Sequence, residues 1–360
     1  MSIKFYDLQE QWQDQKYELL NAIMEVGESG QYFANSVVER FENLLSNYYD
    51  GASCAGCSSG TAALTVALKA ADLPPNSQVA VPAMTYVATA NAVHAAGMTP
   101  VIIDIDSYWL MSYDRLVEQL EQNSNISAVI VVDLYGQGVD LKYFKAACDN
   151  FGVKIIVDAA QSFDLFYNHY KQINYCDSLA LSFNPLKNLG AMGNAGAVLS
   201  KKHSASELKR WCVQGKEKND IVEPGYNCRM DALQAAILEV KLEKFEYNQD
   251  RKNEISWYYR DELSNLFEMP EKAHYCTHTN YVFPIAFDNA DTMKLILTLN
   301  NIEFGCHYEK PLHHYAAYKQ TVDLCPLASS LAGRIISLPN HAHLSDVDVS
   351  KIVQTVKSSL

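Results

Sequence analysis

Ser182-Phe183-Asn184-Pro185-Leu186-Lys187-Asn188-Leu189-Gly190-Ala191-Met192-Gly193-Asn194-Ala195-Gly196-Ala197-Val198 decides how the rest of the chain is read. At its centre stands Lys187, between an apolar run and a Gly/Ala-rich turn. The preceding Ser178-Leu179-Ala180-Leu181-Ser182-Phe183 predicts a short buried strand, and Gly196-Ala197-Val198-Leu199 a second one returning beside it. Between the two, small residues leave little bulk around the amine. A surface lysine in a loop fits this local pattern as well as a lysine that forms a Schiff base with an aldehyde cofactor. Desolvation turns a lysine into a nucleophile near neutral pH. The residues that separate the two readings lie upstream.

Lys154-Ile155-Ile156-Val157-Asp158-Ala159-Ala160-Gln161-Ser162 is a hydrophobic strand ending in an acid. In open α/β sheets the ligand crevice lies at the carboxyl ends of the strands, so Asp158 points to where a ligand binds. A carboxylate there can bind a metal, orient a histidine or pair with a protonated pyridine nitrogen. Pyridoxal phosphate asks for such a carboxylate at the ring nitrogen, a lysine at the aldehyde carbon and a phosphate cradle. Ser58-Ser59-Gly60-Thr61-Ala62-Ala63-Leu64 supplies small hydroxyl residues and a glycine where a helix opens. Backbone N–H groups at a helix N-terminus bind phosphate readily. Ser-Gly-Thr says little alone; followed by Asp158 and Lys187 it says more.

These segments, taken in order, resemble the DegT/StrS sugar aminotransferases, fold-type I pyridoxal-phosphate enzymes. The resemblance covers nearly the whole chain. It rests on Ser59 to Leu64, Val81 to Thr89, Asp158 to Gln161, Ser182-Phe183 with Lys187, Gly225 to Asp231, and His307-Tyr308 with Pro311-Leu312-His313. It implies an α/β fold with a mostly parallel sheet in the large domain and a smaller C-terminal α+β domain. The expected division is 1–249 for the cofactor domain with its N-terminal arm and 250–360 for the small domain.

Composition agrees with a globular chain. With 360 residues, 48% of them hydrophobic, it can bury a large core. A net charge of −13 argues against nonspecific nucleic-acid binding, though basic groups can still dominate one cleft. Met1 to Gln15 carries no apolar signal core, and no run of about 18 apolar residues predicts a membrane span. Nine scattered cysteines suit reduced thiols in a cytoplasm. Cys54 and Cys57 form a Cys-x-x-Cys with no second pair to complete a metal site, and are read as structural. No metal is expected.

Along the chain, residues 1–50 predict a short arm followed by helices, from Ile23, Val26, Phe33, Val37, Val38, Phe41 and Leu44-Leu45 at helical spacing. The family usually has Gly-Pro near Ala34-Asn35; without it the start of that helix stays open. Strands are expected at Val79–Val81, Pro100–Asp104, Ala128–Asp133 and Ile155–Asp158, alternating with helices at Tyr86–Ala96, Tyr113–Gln122 and Leu141–Phe151. Such alternation predicts a mostly parallel sheet covered on both faces. Further on, helices are expected at Met230–Phe245, Thr292–Asn300 and Asp346–Lys357, with strands at Tyr281–Phe287 and Ile335–Leu338.

The resemblance also implies roles. Lys187 and Asp158 are the catalytic pair. Ser59, Gly60, Thr61, Tyr86, Gln161, Ser182 and Asn227 join them in holding pyridoxal 5'-phosphate. Tyr86 stacks on the ring, Gln161 reaches the ring hydroxyl, and Ser182 reaches the phosphate. Asn227 reaches the phosphate in the neighbouring subunit, which makes an obligatory homodimer with shared sites. Tyr86, Arg229, His307, Tyr308 and His313 are the candidates for the substrate, although Arg229 can equally tie down its own loop and the histidines can be structural. Lys187 holds the cofactor and shuttles the proton, while Asp158 keeps the pyridine nitrogen protonated. The amino donor, L-glutamate, leaves as a keto acid and a keto sugar then takes the amine.

Lys187-Asn188-Leu189-Gly190-Ala191 resembles the subgroup acting on nucleotide-linked (dTDP-type) 3-keto-6-deoxyhexoses. That subgroup usually has an aromatic where this chain has Asn184 and an aspartate where it has Asn194. Phe163-Asp164 replaces a common His-Gly pair and is read as a second divergent part of the substrate wall. A 3,8-dideoxyoctulosonate-like amino-sugar acid or a cyclitol ketone stays open as substrate. So does a lyase or dehydratase, although family dehydratases have histidine in place of the lysine. A non-catalytic sugar-nucleotide-binding regulator is a further alternative, opposed by the intact Lys187, Asp158, Ser182 and Asn227.

Overall fold

The computed structural model describes residues 2–33, 36–319 and 324–358. Ala34 and Asn35, where the start of a helix stayed open, lie outside the described residues; the helix is described from Ser36 to Tyr48.

Seven strands form the central sheet, in the spatial order Ser53–Cys57, Gly196–Ser200, Ser178–Ser182, Lys154–Asp158, Ile126–Val132, Gln78–Pro82, Thr99–Ile103. From Ser178–Ser182 to Thr99–Ile103 every pairing is parallel. Gly196–Ser200 alone runs against both of its neighbours. The mostly parallel sheet expected from the helix–strand alternation is therefore present. Its central strands are unbroken apolar runs because both faces are covered. Ile126–Val132, for instance, has all but one of its residues buried.

The helices between the strands start where the chain supplies caps. Ser59 accepts the Ala62 N–H at the head of Gly60–Ala70, Ser112 caps Tyr113–Gln122, and Asp231 caps Ala232–Glu243. The helix expected at Tyr86–Ala96 runs only from Ala88 to Ala95, which leaves Tyr86 in the loop before it and 59% exposed. Phe33, read as helical from its spacing, lies before the Ser36–Tyr48 helix and is exposed. The expected Tyr281–Phe287 strand shortens to Phe283–Ala286, paired with Ile335–Leu338. Sequence reasoning missed the longest helix among the described residues, Phe245–Leu263, whose polar sequence buries only a narrow stripe of side chains.

The core falls into two hydrophobic clusters. The larger surrounds the sheet; the smaller gathers residues between Ile255 and Val356, together with Ile3 from the N-terminal arm. The arm reaches that smaller cluster by backbone pairing: Ile3 N–H donates to Asn301 O, and Glu303 N–H to Ile3 O. Leu312, Cys325, Ala328 and Leu331 pack with the larger cluster instead, so the chain crosses between the two more than once. No helix of the described residues is long and apolar enough to cross a membrane.

Candidate active site

The sheet topology brings the ends of neighbouring strands together at one end of the sheet. Cys57, Gly196 and Ser182 lie side by side in register, and Asp158 ends the next strand but one step inward, opposite Ala180. Because Gly196–Ser200 runs backwards, its first residue meets the last residues of its neighbours. Directly beyond Cys57 the chain turns into the Gly60–Ala70 helix.

Glycine is required at two points of that turn. A Cβ on Gly60 would stand 2.7 Å from Ser182 Cβ, and one on Gly196 would stand 2.5 Å from the Ser59 carbonyl and 2.7 Å from Gly60 N. Three backbones thus approach closely enough to make a cradle floored by main chain. It is walled by the Ser182 side chain and faces the open N-terminus of a helix, a suitable setting for a phosphate. The Ser59 hydroxyl is engaged as the helix cap.

Asp158 is buried, and its carboxylate is held at both ends. Thr89 Oγ1 donates to Oδ2 at 2.9 Å, and the Ala160 N–H to Oδ1 at 3.2 Å. The Thr85 and Thr89 hydroxyls lie 3.0 Å apart. Burial pushes the Asp158 pKa up, while the Thr89 and Ala160 hydrogen bonds and the Lys187 charge oppose it. Thr85 and Thr89 were missed in the sequence; their four-residue spacing after the Gln78–Pro82 strand was the available signal.

Lys187 sits in the turn between the paired strands, its N–H donating to Asn184 O. Its amine stands 4.5 Å from the centroid of the Tyr281 ring, a cation–π contact. Tyr281 too was missed as a site residue, because the run around it reads as a plain strand.

Gln161 is clamped: its Oε1 accepts the Tyr135 N–H at 2.7 Å, and its Nε2 donates to the Tyr308 hydroxyl at 3.0 Å. Tyr135 in turn donates its hydroxyl to His307 O at 2.6 Å. His307 pairs through Nδ1 with Ser337 Oγ at 3.0 Å. Burial, aided by the Lys187 charge, pushes His307 down to about 4, so its imidazole is neutral at pH 7. Burial pushes the Tyr308 phenol well up. The Tyr86 and Tyr308 rings lie 6.0 Å apart.

One cavity of about 550 Å³ joins Ser59, Gly60, Thr61, Tyr86, Asp158, Gln161, Ser182, Lys187, His307 and Tyr308. Asn184, Leu186 and Asn194 line it as well, with Asn184 Nδ2 donating to Asn194 Oδ1 at 3.3 Å. Asn227, Arg229 and His313 do not line it. Asn227 is bridged through its backbone to Val213. Arg229 bridges to Cys57 and lays its guanidinium over the Phe33 ring, 4.8 Å from the centroid, which ties down its own loop. Buried His313 pairs through Nε2 with Ser329 Oγ at 2.9 Å.

Phe163-Asp164 is not substrate wall. Phe163 is buried among Tyr48, Tyr49, Phe183 and Phe245, and Asp164 pairs with buried Lys171 beneath the same aromatic cluster. Apolar packing drew this pair inward, away from the cavity. Cys54 and Cys57 are free thiols, and Cys57 Sγ lies 3.7 Å from Cys212 Sγ. Among the described residues no group of three or more His, Cys, Asp or Glu could hold a metal ion.

Comparison with known proteins adds a family. The DegT/DnrJ/EryC1/StrS aminotransferase family matches residues 13–357. A dTDP-3-amino-3,6-dideoxy-alpha-D-galactopyranose transaminase of Aneurinibacillus thermoaerophilus is 31% identical over 98% of this chain and 98% of its own. A UDP-N-acetyl-3-dehydro-alpha-D-glucosamine 3-aminotransferase of Acidithiobacillus ferrooxidans is 28% identical over 100% and 98%. The crystal structure of S. venezuelae DesV in complex with a ketimine intermediate has a TM-score of 0.94 at 27% identity, over 99% of this chain and 98% of that one.

Proposed function

The chain belongs to the DegT/DnrJ/EryC1/StrS family of pyridoxal-phosphate-dependent sugar aminotransferases, and from that premise we propose that it aminates a nucleotide-linked, dTDP-type 3-keto-6-deoxyhexose with L-glutamate as donor. We further propose that it works in the cytoplasm as a homodimer with shared sites, and that residues 1–249 and 250–360 are its two domains.

The observation that carries the reading is the cavity itself. A main-chain cradle made by Gly60, Gly196 and Ser182 opens into the same space as one buried carboxylate and one lysine. That donor set fits pyridoxal phosphate: an anion site, an acid for the ring nitrogen and an amine for the aldehyde. Ser182, Thr61 and the helix N-terminus would hold the phosphate, Asp158 the ring nitrogen, and Tyr86 a ring face. When bound, the cofactor supplies an electron sink for a carbanion. The protein does the rest. Thr89 and Ala160 keep Asp158 oriented and, with the Lys187 charge, hold it toward ionisation against its burial. Lys187 would hold the cofactor's aldehyde carbon, and its Nζ is the atom that would hold and move the proton. Neutral His307 and the Tyr308 hydroxyl bind and orient the sugar at the mouth without adding charge.

The nucleotide-linked substrate is supported by the two relatives, which are named for a dTDP-sugar and a UDP-sugar. Tyr86 and Leu186, exposed at the cavity rim, support a subunit partner there. The test is incubation of the purified, cofactor-loaded protein with L-glutamate and a panel of ketones: dTDP-3-keto-6-deoxyhexoses, UDP-3-keto sugars and unlinked 3-keto sugars. Mass spectra should show an amine product, greatest with the dTDP-linked members. Amination of the unlinked sugars alone would sink the nucleotide part of the proposal.

A further inference from the structure

Lys187 is flanked on its C-terminal side by Asn188, and the side chain of Asn188 is fully engaged by groups from far along the chain. Its Nδ2 donates to Thr279 O at 2.8 Å and to Gln249 Oε1 at 3.2 Å. Its Oδ1 accepts from Lys252 Nζ at 2.8 Å. The same ammonium reaches Tyr281 O at 3.5 Å, and Tyr281 is the residue whose ring lies under the Lys187 amine. Lys252 therefore holds the Asn188 side chain next to Lys187 and the main chain of the residue whose ring lies beneath the amine.

The knot is closed by further amides. Gln249 Nε2 donates to Thr279 O at 2.8 Å and to Asn253 Oδ1 at 2.9 Å, and Asn280 Nδ2 donates to the same Asn253 oxygen at 2.8 Å. Gln249, Lys252 and Asn253 share successive turns of the Phe245–Leu263 helix, so one rigid element presents all three. Among the described residues no carboxylate forms an ion pair with Lys252. Burial pushes it down to about 7. A desolvated lysine without a counter-charge costs folding free energy, which its hydrogen bonds to Asn188 and Tyr281 offset in part. A rotatable ammonium can reach two acceptors at once, and here it ties the segment beside Lys187 to the one that carries Tyr281.

We propose that Lys252, acting through Asn188 and Tyr281, is a positioning residue that sets where the Lys187 amine stands in the cavity. The inference rests on the reading of Lys187 as the residue that carries the cofactor. A displacement of the amine by about 1 Å is enough to cost on the order of a hundredfold in rate without preventing binding.

The experiment compares the cofactor-loaded parental protein with Lys252→Met, which keeps the length and loses the donors, and Lys252→Arg, which keeps donors. Three quantities are read: the fraction of Lys187 modified after borohydride reduction, by peptide mass; the melting midpoint; and kcat and KM for the amino donor. Lys252→Met is expected to keep the Lys187 adduct and to fold, with a melting midpoint lowered modestly because two acceptors lose their donor. Its kcat should fall about 10- to 100-fold while KM for the donor moves less than about threefold. Lys252→Arg should recover most of that loss. Parental kcat in Lys252→Met, a kcat that falls only as far as the folded fraction does, or an arginine variant no better than methionine would each overturn the positioning role alone. A parental protein with no reducible adduct at Lys187 would overturn the reading beneath it, and the inference with it.

Discussion

At the scale of single residues, the site depends on how Asp158 is held. Replacing it by asparagine leaves the cradle and Lys187 in place, so the cofactor should still bind, but an amide cannot pair with a protonated pyridine. Loss of one charge-assisted hydrogen bond of this kind should cost about 3 kcal/mol, roughly a hundredfold in kcat, in both half-reactions alike. Parental turnover in Asp158→Asn would show that this carboxylate does not face the ring. Thr89→Val probes the same group from behind. It removes the donor to Oδ2, one of the contacts that oppose the upward push of burial on Asp158. The valine variant should lose about tenfold in kcat, because one hydrogen bond to a charged group contributes about 1.5–3 kcal/mol. Its pH–rate profile should also shift toward higher pH, since a carboxylate with a higher pKa needs a higher pH to ionise. An unmoved profile would count against Thr89 as the group that keeps Asp158 charged.

At the scale of elements, legibility followed periodicity. Lys154–Asp158 and Ser178–Ser182 are short, apolar between polar end residues and bounded by turn residues, so both the strands and the acid at the end of one could be read directly. That Ser59, Gly60, Asp158, Ser182 and Lys187 share one cavity was legible because each lies at or just beyond the end of such a strand, where an open α/β sheet forms its crevice. The Phe245–Leu263 helix was illegible because its polar residues outnumber the buried stripe, and with it went Lys252 and Gln249. Tyr281 acts through a contact distant in sequence, which no local pattern announces, whereas the Thr85–Thr89 spacing was a local signal whose partner, Asp158, lies far along the chain. Phe163 misled for the opposite reason: a departure from a family pattern looked functional, and the fold used it for packing. The cradle offers the test at this scale. Gly60→Ala places a methyl carbon 2.7 Å from Ser182 Cβ, beneath the space assigned to phosphate. The variant should fold with a modestly lowered melting midpoint, yet retain less than about a tenth of the parental cofactor after dialysis, a loss corresponding to about 1.4 kcal/mol or more in binding. Full retention would remove the phosphate from this cradle.

At the scale of the whole molecule, two expectations remain, one across subunits and one across pH. If Asn227 completes a neighbour's site, as the family resemblance implies, mixed subunits of Lys187→Ala and Asn227→Ala should recover part of the activity that each lacks alone. One of the two sites in the mixed dimer then holds both groups, and no recovery after confirmed subunit exchange would argue for self-contained sites. The pH expectation concerns His278, in the segment that carries Thr279 and Tyr281 against Lys187. Its Nδ1 accepts the Asn280 N–H at 2.9 Å, so this nitrogen must be unprotonated in the folded protein. Burial, with the charges of Arg260, Lys272 and Lys252 adding to it, pushes the imidazole down to about 3 from an ordinary 6.5. Between those two values the unfolded chain binds a proton that the folded chain refuses. Stability contributed by His278 is therefore fully present above about pH 6.5 and is lost progressively as pH falls toward 3. Other groups titrate in the same range, among them Asp106 and Asp133, each raised to about 6, and their effect has the opposite sign. The parental curve is thus a sum, and the clean quantity is a difference. His278→Gln removes the titrating ring and keeps an acceptor. The melting-midpoint advantage of the parent over this variant should shrink steadily from pH 7 to pH 4. An advantage that stays constant across that interval would mean that the folded protein accepts the proton, and that the segment beneath Lys187 tolerates the loss of the Asn280 hydrogen bond.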